Sequence, residues 1–340
     1  MPVLNEEHYL ARSVASVLAQ EVDGPVELIL ALGPSTDATD EIARALAADD
    51  PRVRLVANPE ADIPVGLNRA IRAGIHPTVV RVDAHSALEP GYVRRALATL
   101  DRTRAGNVGG VMRAQGQTPF QRAVAGAYNS PIGLGGGAYH SGGTEGPAES
   151  AYLGVMRREV IEEVGLFDES LRRGEDWELN LRIRRAGYRV WFDPALAVTY
   201  WPRERWTRLA RQFRSTGTWR GELVRRYGRR NSLRFFAPPA LVLATALAIV
   251  ITLLQLTGIL RGPAALAASV VHLPLVAYAI LLIASVLSPA AGPGVRERLW
   301  TLVVLPTMHL AWGVGFILGV LRGARENVDT SRLQRNTPLP

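Results

Sequence analysis

Two pairs of side chains in this 340-residue sequence have the types and spacing to do chemistry. Asp83 and His85 stand two apart in RVDAHS, directly after the apolar run TVVRV. A carboxylate and an imidazole so spaced can share a divalent cation; imidazole suits Mn2+ and similar ions, whereas Mg2+ prefers oxygen. The same triplet also reads as a polar turn at a strand end, with Asp83 capping it and His85 solvated. The second pair is Glu175 and Asp176, which open GEDWELNLRIRRAGY, a helical pattern whose Leu179, Ile183 and Ala186 form an apolar stripe. Acids in a first helical turn complement the helix dipole. Neighbouring carboxylates also raise each other's proton affinity, which suits base chemistry near neutral pH.

The elements that must position these pairs alternate. Strand-like runs fall at 26–32, 53–57, 78–82, 107–112, 151–156 and 188–192, and helical patterns lie between them. EEHYLARSVASVLAQ puts Leu10, Val14, Val17 and Leu18 on one face, and STDATDEIARALAA begins with cap-type residues followed by Glu41. This alternation predicts an α/β fold around a largely parallel sheet. In such sheets ligands collect at the carboxyl ends of the strands, where Asp83 and His85 fall. Residues 131–147 are glycine-rich and aperiodic, which predicts a mobile loop holding His140 as a solvated residue. The start, MPVLNEE, reads as the end of a strand and its loop, so the first strand is expected to be truncated and Met1 to be an internal start.

Charge divides the chain. Residues 1–200 carry 21 Arg against 26 acids, 201–234 carry 11 against 2, and 235–340 carry 7 against 3. The α/β part is therefore acidic, which excludes a nucleic-acid partner despite the net charge of +8. The absence of cysteine excludes disulfides, thiolate metal sites and cysteine nucleophiles. Three uncharged runs follow, 235–260, 262–295 and 299–321, each longer than the roughly 20 apolar residues a spanning helix needs. No basic region precedes an apolar run at the N-terminus, so no signal peptide is expected. The division expected is an α/β domain at 1–200, a basic juxtamembrane segment at 201–234, a membrane region of about three helices at 235–321 and a polar tail at 322–340. The expected location is the plasma (inner) membrane, multi-pass, with the N-terminal domain cytoplasmic and the arginines against the acidic leaflet. His272 and His309, inside the apolar runs, read as neutral helix-packing residues.

Six segments, in order, resemble one family: PVLNEE (2–7), GPSTDATDEIA (33–43), PVGLNRAI (64–71), VRVDAHS (80–86), VGLFDESLRRGEDWELNLRIRRAGY (164–188) and RQFRSTGTWR (211–220). They resemble the family 2 glycosyltransferases of GT-A fold, most closely the membrane-anchored exopolysaccharide enzymes of the succinoglycan type. The resemblance implies a Rossmann-like nucleotide-sugar-binding sheet followed by a helical membrane region. It implies that Asp83 binds nucleotide and cation, with His85 as a further ligand where the family has a second Asp, so the cation is Mn2+ or Mg2+. Asp176 matches the general base of inverting transfer, with Glu175 beside it. Pro2, Val3, Asn5, Glu6, Asp37 and Asn68 fall in the nucleotide-binding segments. The family's Asp before the Ser-Thr-Asp element is absent, since Leu32, Gly33 and Pro34 stand there, and Asp37 equally reads as a helix cap. Gln212, Arg214, Trp219 and Arg220 resemble, with looser spacing, an interfacial element beside diphosphate and acceptor; an Arg and Trp belt at the headgroups is the other reading.

The function so implied is transfer of a sugar from a nucleotide-diphosphate donor, UDP by default, to a lipid-linked or membrane-associated glycan acceptor in cell-envelope or exopolysaccharide synthesis. Two rivals stand beside it. One is a polyprenyl-phosphate sugar synthase, whose acceptor phosphate needs no base; the other is a non-catalytic membrane subunit on a decayed scaffold. Three spans from a cytoplasmic domain would put Arg322, Arg325, Arg332 and Arg335 outside, against the positive-inside tendency. One of the three runs is therefore a candidate for an interfacial or re-entrant segment.

Overall fold

The computed structural model describes residues 1–134, 142–228, 233–292 and 294–324. They form two compact units: residues 1–115 with 142–202, and residues 116–134 with 203–324. His140 and the tail arginines Arg325, Arg332 and Arg335 lie outside the described residues.

In the first unit, β1 (Pro2–Val3), β2 (Leu28–Leu32) and β3 (Val53–Ala57) make a parallel sheet in that order. Helices α1 (Leu10–Leu18), α2 (Thr39–Asp49) and α3 (Ile63–Ala73) connect its strands and lead on to the next sheet. LILAL of β2 is apolar throughout because a parallel strand between covering helices is buried on both faces, and Leu28 to Ala31 are buried. α1 buries Leu10, Val14 and Val17 in the same core, as its periodicity predicts. Met1 is buried there too; its ammonium donates to Ile29 O at 2.9 Å, and burial lowers its pKa to about 5.

The second sheet has β4 (Thr78–Val80), β5 (Ser86–Leu88), β6 (Asn107–Ala114), β7 (Gly146–Pro147), β8 (Tyr152–Arg157) and β9 (Val190–Tyr200), ordered β4-β8-β6-β9-β5 with β7 beside β9. Only β6 and β9 are parallel here, so the largely parallel sheet expected is instead mixed. Its two end strands, β4 and β5, pair antiparallel with β8 and β9, strands far from them in the chain. Helices α4 (Tyr92–Thr103), α7 (Arg158–Glu163) and α8 (Glu175–Arg185) also belong to this unit. The expected stripe of α8 holds at Leu179 and Ile183, which are buried, but Ala186 is the exposed C-cap. At Gly110 a Cβ would stand 1.8 Å from Leu196 O, so glycine is what lets β6 and β9 pair through the irregularity there.

The second unit is helical: α5 (Pro119–Tyr128), α6 (Pro131–Leu134), α9 (Trp206–Tyr227), α10 (Ala237–Leu256), α11 (Gly262–Ala268), α12 (Leu273–Leu287) and α13 (Val295–Arg322). Thr118 caps α5 in a box with Gln121. Three segments, 233–256, 262–287 and 295–322, are long and apolar enough to cross a membrane. His272 faces Thr252 Oγ1 at 2.9 Å, and His309 sits 2.8 Å from the Tyr278 hydroxyl, so both join helix to helix. α9 and α13 approach through small residues on both sides: a Cβ on Gly217 would lie 2.0 Å from Trp312 O, and one on Gly319 2.0 Å from Thr218 O. Gly217 and Gly221 on one helix, Gly315 and Gly319 on the other, repeat the four-residue spacing that lets backbones touch.

This contact gives a first prediction. Gly319→Leu forces α9 and α13 apart and lowers stability by about 1–3 kcal/mol or more, whereas Gly146→Ala, with open space around its Cβ position, is neutral. Thermal unfolding of the detergent-solubilised protein measures both; equal midpoints for Gly319→Leu and the parent chain would count against the backbone contact.

Candidate active site

Arg81 organises the site. It follows β4, where its backbone N–H donates to Gly154 O at 3.1 Å, and its side chain is 5% exposed. A guanidinium this buried needs anions around it. It donates through Nη1 to Asp176 Oδ1, and through Nη2 to Glu175 Oε1 at 3.1 Å and Asp83 Oδ1 at 3.4 Å. Phe167 lies 5.8 Å from its centre. One cation therefore gathers three carboxylates singled out in the sequence, Asp83 from its turn and Glu175 and Asp176 from the first turn of α8. Sequence reasoning did not single out Arg81, although a lone charge at the end of a β-rich run was the available signal.

The three carboxylates differ in access. Asp176 has 33% of its side chain open, Asp83 19% and Glu175 8%. Burial of its carboxyl nonetheless pushes the Asp176 pKa up to about 7, with Glu175 and Asp83 adding to the rise and Arg81 opposing it. Burial works against the charge of Arg81, but Asp176, Asp83 and Glu175 outweigh it and hold the guanidinium above its ordinary value.

Two asparagine contacts fix α8 and the turn before it. Asn107 of β6 donates to Asn180 Oδ1 at 2.7 Å, and Asn180 donates to Asp176 O at 2.8 Å and Ser150 Oγ at 3.1 Å. Asn68 of α3 donates to Phe167 O at 2.9 Å and Glu169 Oε1 at 2.8 Å and accepts from Phe167 N at 3.0 Å. Asn68 is 1% exposed, and both ends of its amide hold the segment leading into α8.

His85 packs against Glu6 and Tyr200. It is buried, its Nδ1 lies 3.6 Å from Glu6 Oε1, and its ring meets Tyr200 edge-on with centroids 5.1 Å apart. Behind it Tyr9 stacks on Trp201 at 5.1 Å, with Arg12 over the same indole at 4.6 Å. Glu6 is likewise buried. Among the described residues no group of three His, Asp or Glu side chains is gathered around an ion position. The open carboxylate of Asp83 fits a cation that takes most of its ligands from a bound diphosphate, the usual manner for Mg2+.

The loops after β1 and β2 are tied together. Asn5, at φ 54°, donates its N–H to Ser35 Oγ at 3.1 Å and accepts from Thr36 N at 2.8 Å, and Glu6 N donates to Thr39 Oγ1 at 2.7 Å. Asp37 Oδ1 accepts from Thr39 N at 3.0 Å, just before α2 begins. Pro2 lies in β1; Val3 is buried and its carbonyl accepts from Gly33 N at 2.8 Å, so Val3 shapes the loop from inside the core.

The interfacial candidates all lie on α9, in the helical unit. Tyr128 donates to Gln212 Oε1 at 3.5 Å, Arg214 is exposed, and Arg220 stands 4.1 Å over Phe235. Trp219 is 1% exposed, so it is a packing residue of the helical unit and not an open stacking platform.

Comparison with known proteins accords with this arrangement. The pattern of glycosyl transferase family 2 matches residues 1–165. The succinoglycan biosynthesis protein ExoA of Rhizobium meliloti (strain 1021) is 31% identical over 320 residues, 93% of this chain and 92% of that protein. A dolichyl N-acetyl-alpha-D-glucosaminyl phosphate 3-beta-D-2,3-diacetamido-2,3-dideoxy-beta-D-glucuronosyltransferase of Methanococcus voltae is 22% identical over 236 residues, 66% of this chain and 73% of that protein. Among solved structures, the mannosyltransferase PcManGT of Pyrobaculum calidifontis, in complex with GDP-Man and Mn2+, superposes with a TM-score of 0.52 at 19% identity, over 94% of this chain and 85% of that one, and shares the GT-A fold. With a relative this similar along nearly its whole length, the chain belongs to glycosyl transferase family 2 and is a glycosyltransferase of glycan synthesis.

Proposed function

We propose that the enzyme is an inverting transferase that moves a sugar from a nucleotide-diphosphate donor, a UDP-sugar by default, to a lipid-linked or membrane-associated glycan at the cytoplasmic face of the plasma membrane. The observation that carries this reading is the Arg81 cluster, in which Asp176 alone combines wide access with a raised proton affinity. In the proposed reaction the acceptor hydroxyl oxygen forms a bond to the anomeric carbon from the face opposite the diphosphate. The carbon–oxygen bond to the diphosphate breaks, its electron pair leaves with the phosphate, and the hydroxyl proton passes to Asp176. Glu175 and Arg81 keep Asp176 in place, since both are buried and bonded to each other. Asp83, with His85 as the second candidate, would hold a divalent cation, which supplies positive charge to the departing diphosphate. The lipid-linked acceptor is supported by the three apolar helices, because an anchor beside the bilayer serves an acceptor that lives there. The name of the Methanococcus voltae relative, which describes a dolichyl-phosphate-linked sugar, points the same way.

Three outcomes are expected. Asp176→Asn lowers turnover by about 10²- to 10⁴-fold, the usual worth of a general base, and leaves UDP binding intact. Released nucleotide in a membrane-fraction assay, with calorimetry for binding, separates the two; unchanged turnover would favour an acceptor phosphate that needs no base. Because the Asp176 carboxyl is raised to about 7, its base form is present above that pH and lost below it, so turnover falls as pH drops through about 7. The acid limb of the kcat profile reads this directly, and a limb near pH 4 would remove Asp176 from the role. Asp83→Asn weakens Mn2+-dependent UDP binding at least about tenfold, or ~1.4 kcal/mol, with metal-free binding little changed; titration calorimetry with and without Mn2+ decides it.

A further inference from the structure

We infer that α13 lies along the membrane surface and does not cross it, so that the chain crosses the bilayer twice, through 237–256 and 262–287. α13 has the length and composition of a span, but 39% of its apolar stretch is buried inside the protein, against 11% and 6% for the other two. Of its nine buried residues, Glu297, Thr301, Val304, Met308, Gly315 and Gly319 follow one stripe from end to end, with Leu305 and Phe316 beside it, while Gly313 lies on another side against Pro238 of α10. What covers that stripe decides the matter.

Near its start, Glu297 pairs with Arg122 of α5 at 2.7 Å, and Trp300 meets Phe120 edge-on. His309 Nε2 lies 3.0 Å from Ile132 O of α6. From its middle onward α13 runs parallel to α9: Trp206 donates to Thr307 Oγ1 at 2.7 Å, and Gly217 and Gly221 then meet Trp312 and Phe316. α5 and α6 have 10 and 4 residues, too few to cross a bilayer, so both stay on one side of it. α9 is long enough to cross, but it carries six arginines against one glutamate, a net charge that the hydrocarbon core does not accept.

Both halves of α13 are thus bound to helices that cannot leave the surface. A 28-residue helix is about 42 Å long, and crossing the core would pull either α5 or α9 through it. The face opposite the buried stripe is apolar and open at Val295, Leu299, Leu302, Val303, Val314 and Leu321, which suits a helix resting on the acyl boundary with its partner's arginines at acidic headgroups. By contrast α10 has only Pro239 and Ala248 buried, as a helix bathed in lipid would. Two crossings also return Arg322 to the side on which the Arg-rich α9 lies, in keeping with the positive-inside tendency.

The inference is independent of donor and acceptor, and the chain's lack of cysteine makes it directly testable. Single variants Asp49→Cys, Ile259→Cys and Arg322→Cys are expressed in cells and treated with a membrane-impermeant maleimide, as spheroplasts and after permeabilisation. Ile259→Cys is expected to label in spheroplasts, while Asp49→Cys and Arg322→Cys label only once the membrane is opened. Labelling of Arg322→Cys together with Ile259→Cys in spheroplasts would show that α13 crosses and overturn the inference. Failure of Ile259→Cys to label before permeabilisation would overturn it too, by removing both crossings. Leu321→Cys repeats the reading one residue away should Arg322→Cys not accumulate.

Discussion

A buried guanidinium surrounded by three carboxylates is the constraint on which the candidate site rests. Arg81 has 5% of its side chain exposed, and a charge in that position is tolerated only when oppositely charged partners are held close. Asp83, Glu175 and Asp176 meet that need, and in meeting it they fix the first turn of α8 against the strand end at β4. Removing one partner of such a group leaves charge uncompensated, at a typical cost of about 3–5 kcal/mol. The site and the local fold are therefore one arrangement. The cluster still carries more negative than positive charge, which leaves room for a proton, a cation or a donor's counter-ion.

The scaffold around Arg81 removes freedom from the groups that must not move and leaves it to the one that must. Glu175 is held down, Asn180 links the backbone of Asp176 to β6 through Asn107, and Asn68 pins the turn at Phe167 that feeds α8. Asp176 alone of the carboxylates keeps a third of its side chain open. Burial favours its protonated form while access leaves it open to a substrate, the two properties that the proposed general base needs. His85 belongs to a different layer, between Glu6 and Tyr200, where it supports the loop that carries Asp83.

In the helical unit the governing contact is between backbones. Small residues on α9 and α13 let an arginine-rich helix lie directly on an apolar one. α5 supplies the other part of the cover through Arg122 and Phe120. Residues 116–134, which fall between two strands in the chain, thus pack in the helical unit, a division that a linear count of charge does not reveal.

Much was legible in the sequence because it depends on local pattern. The helix of α1, the strand at Val53–Ala57, the acidic opening of α8 and the three apolar runs each follow from periodicity, composition or length. The glycosyltransferase family was legible as well, from the order of six short segments. What the sequence left open is whatever depends on contacts between distant residues. The structural role of the Asn68 amide shows only once Phe167, 99 positions away, is brought against it. His85 reads as a solvated turn residue until the fold buries it beside Glu6 and Tyr200. Arg81 passes for an ordinary strand-end charge until the fold brings carboxylates from 94 and 95 positions away to it. Even the apolar run of α13 has the composition of a spanning helix. Hydropathy measures only what a segment would tolerate around it, whereas the tertiary structure sets what does surround it.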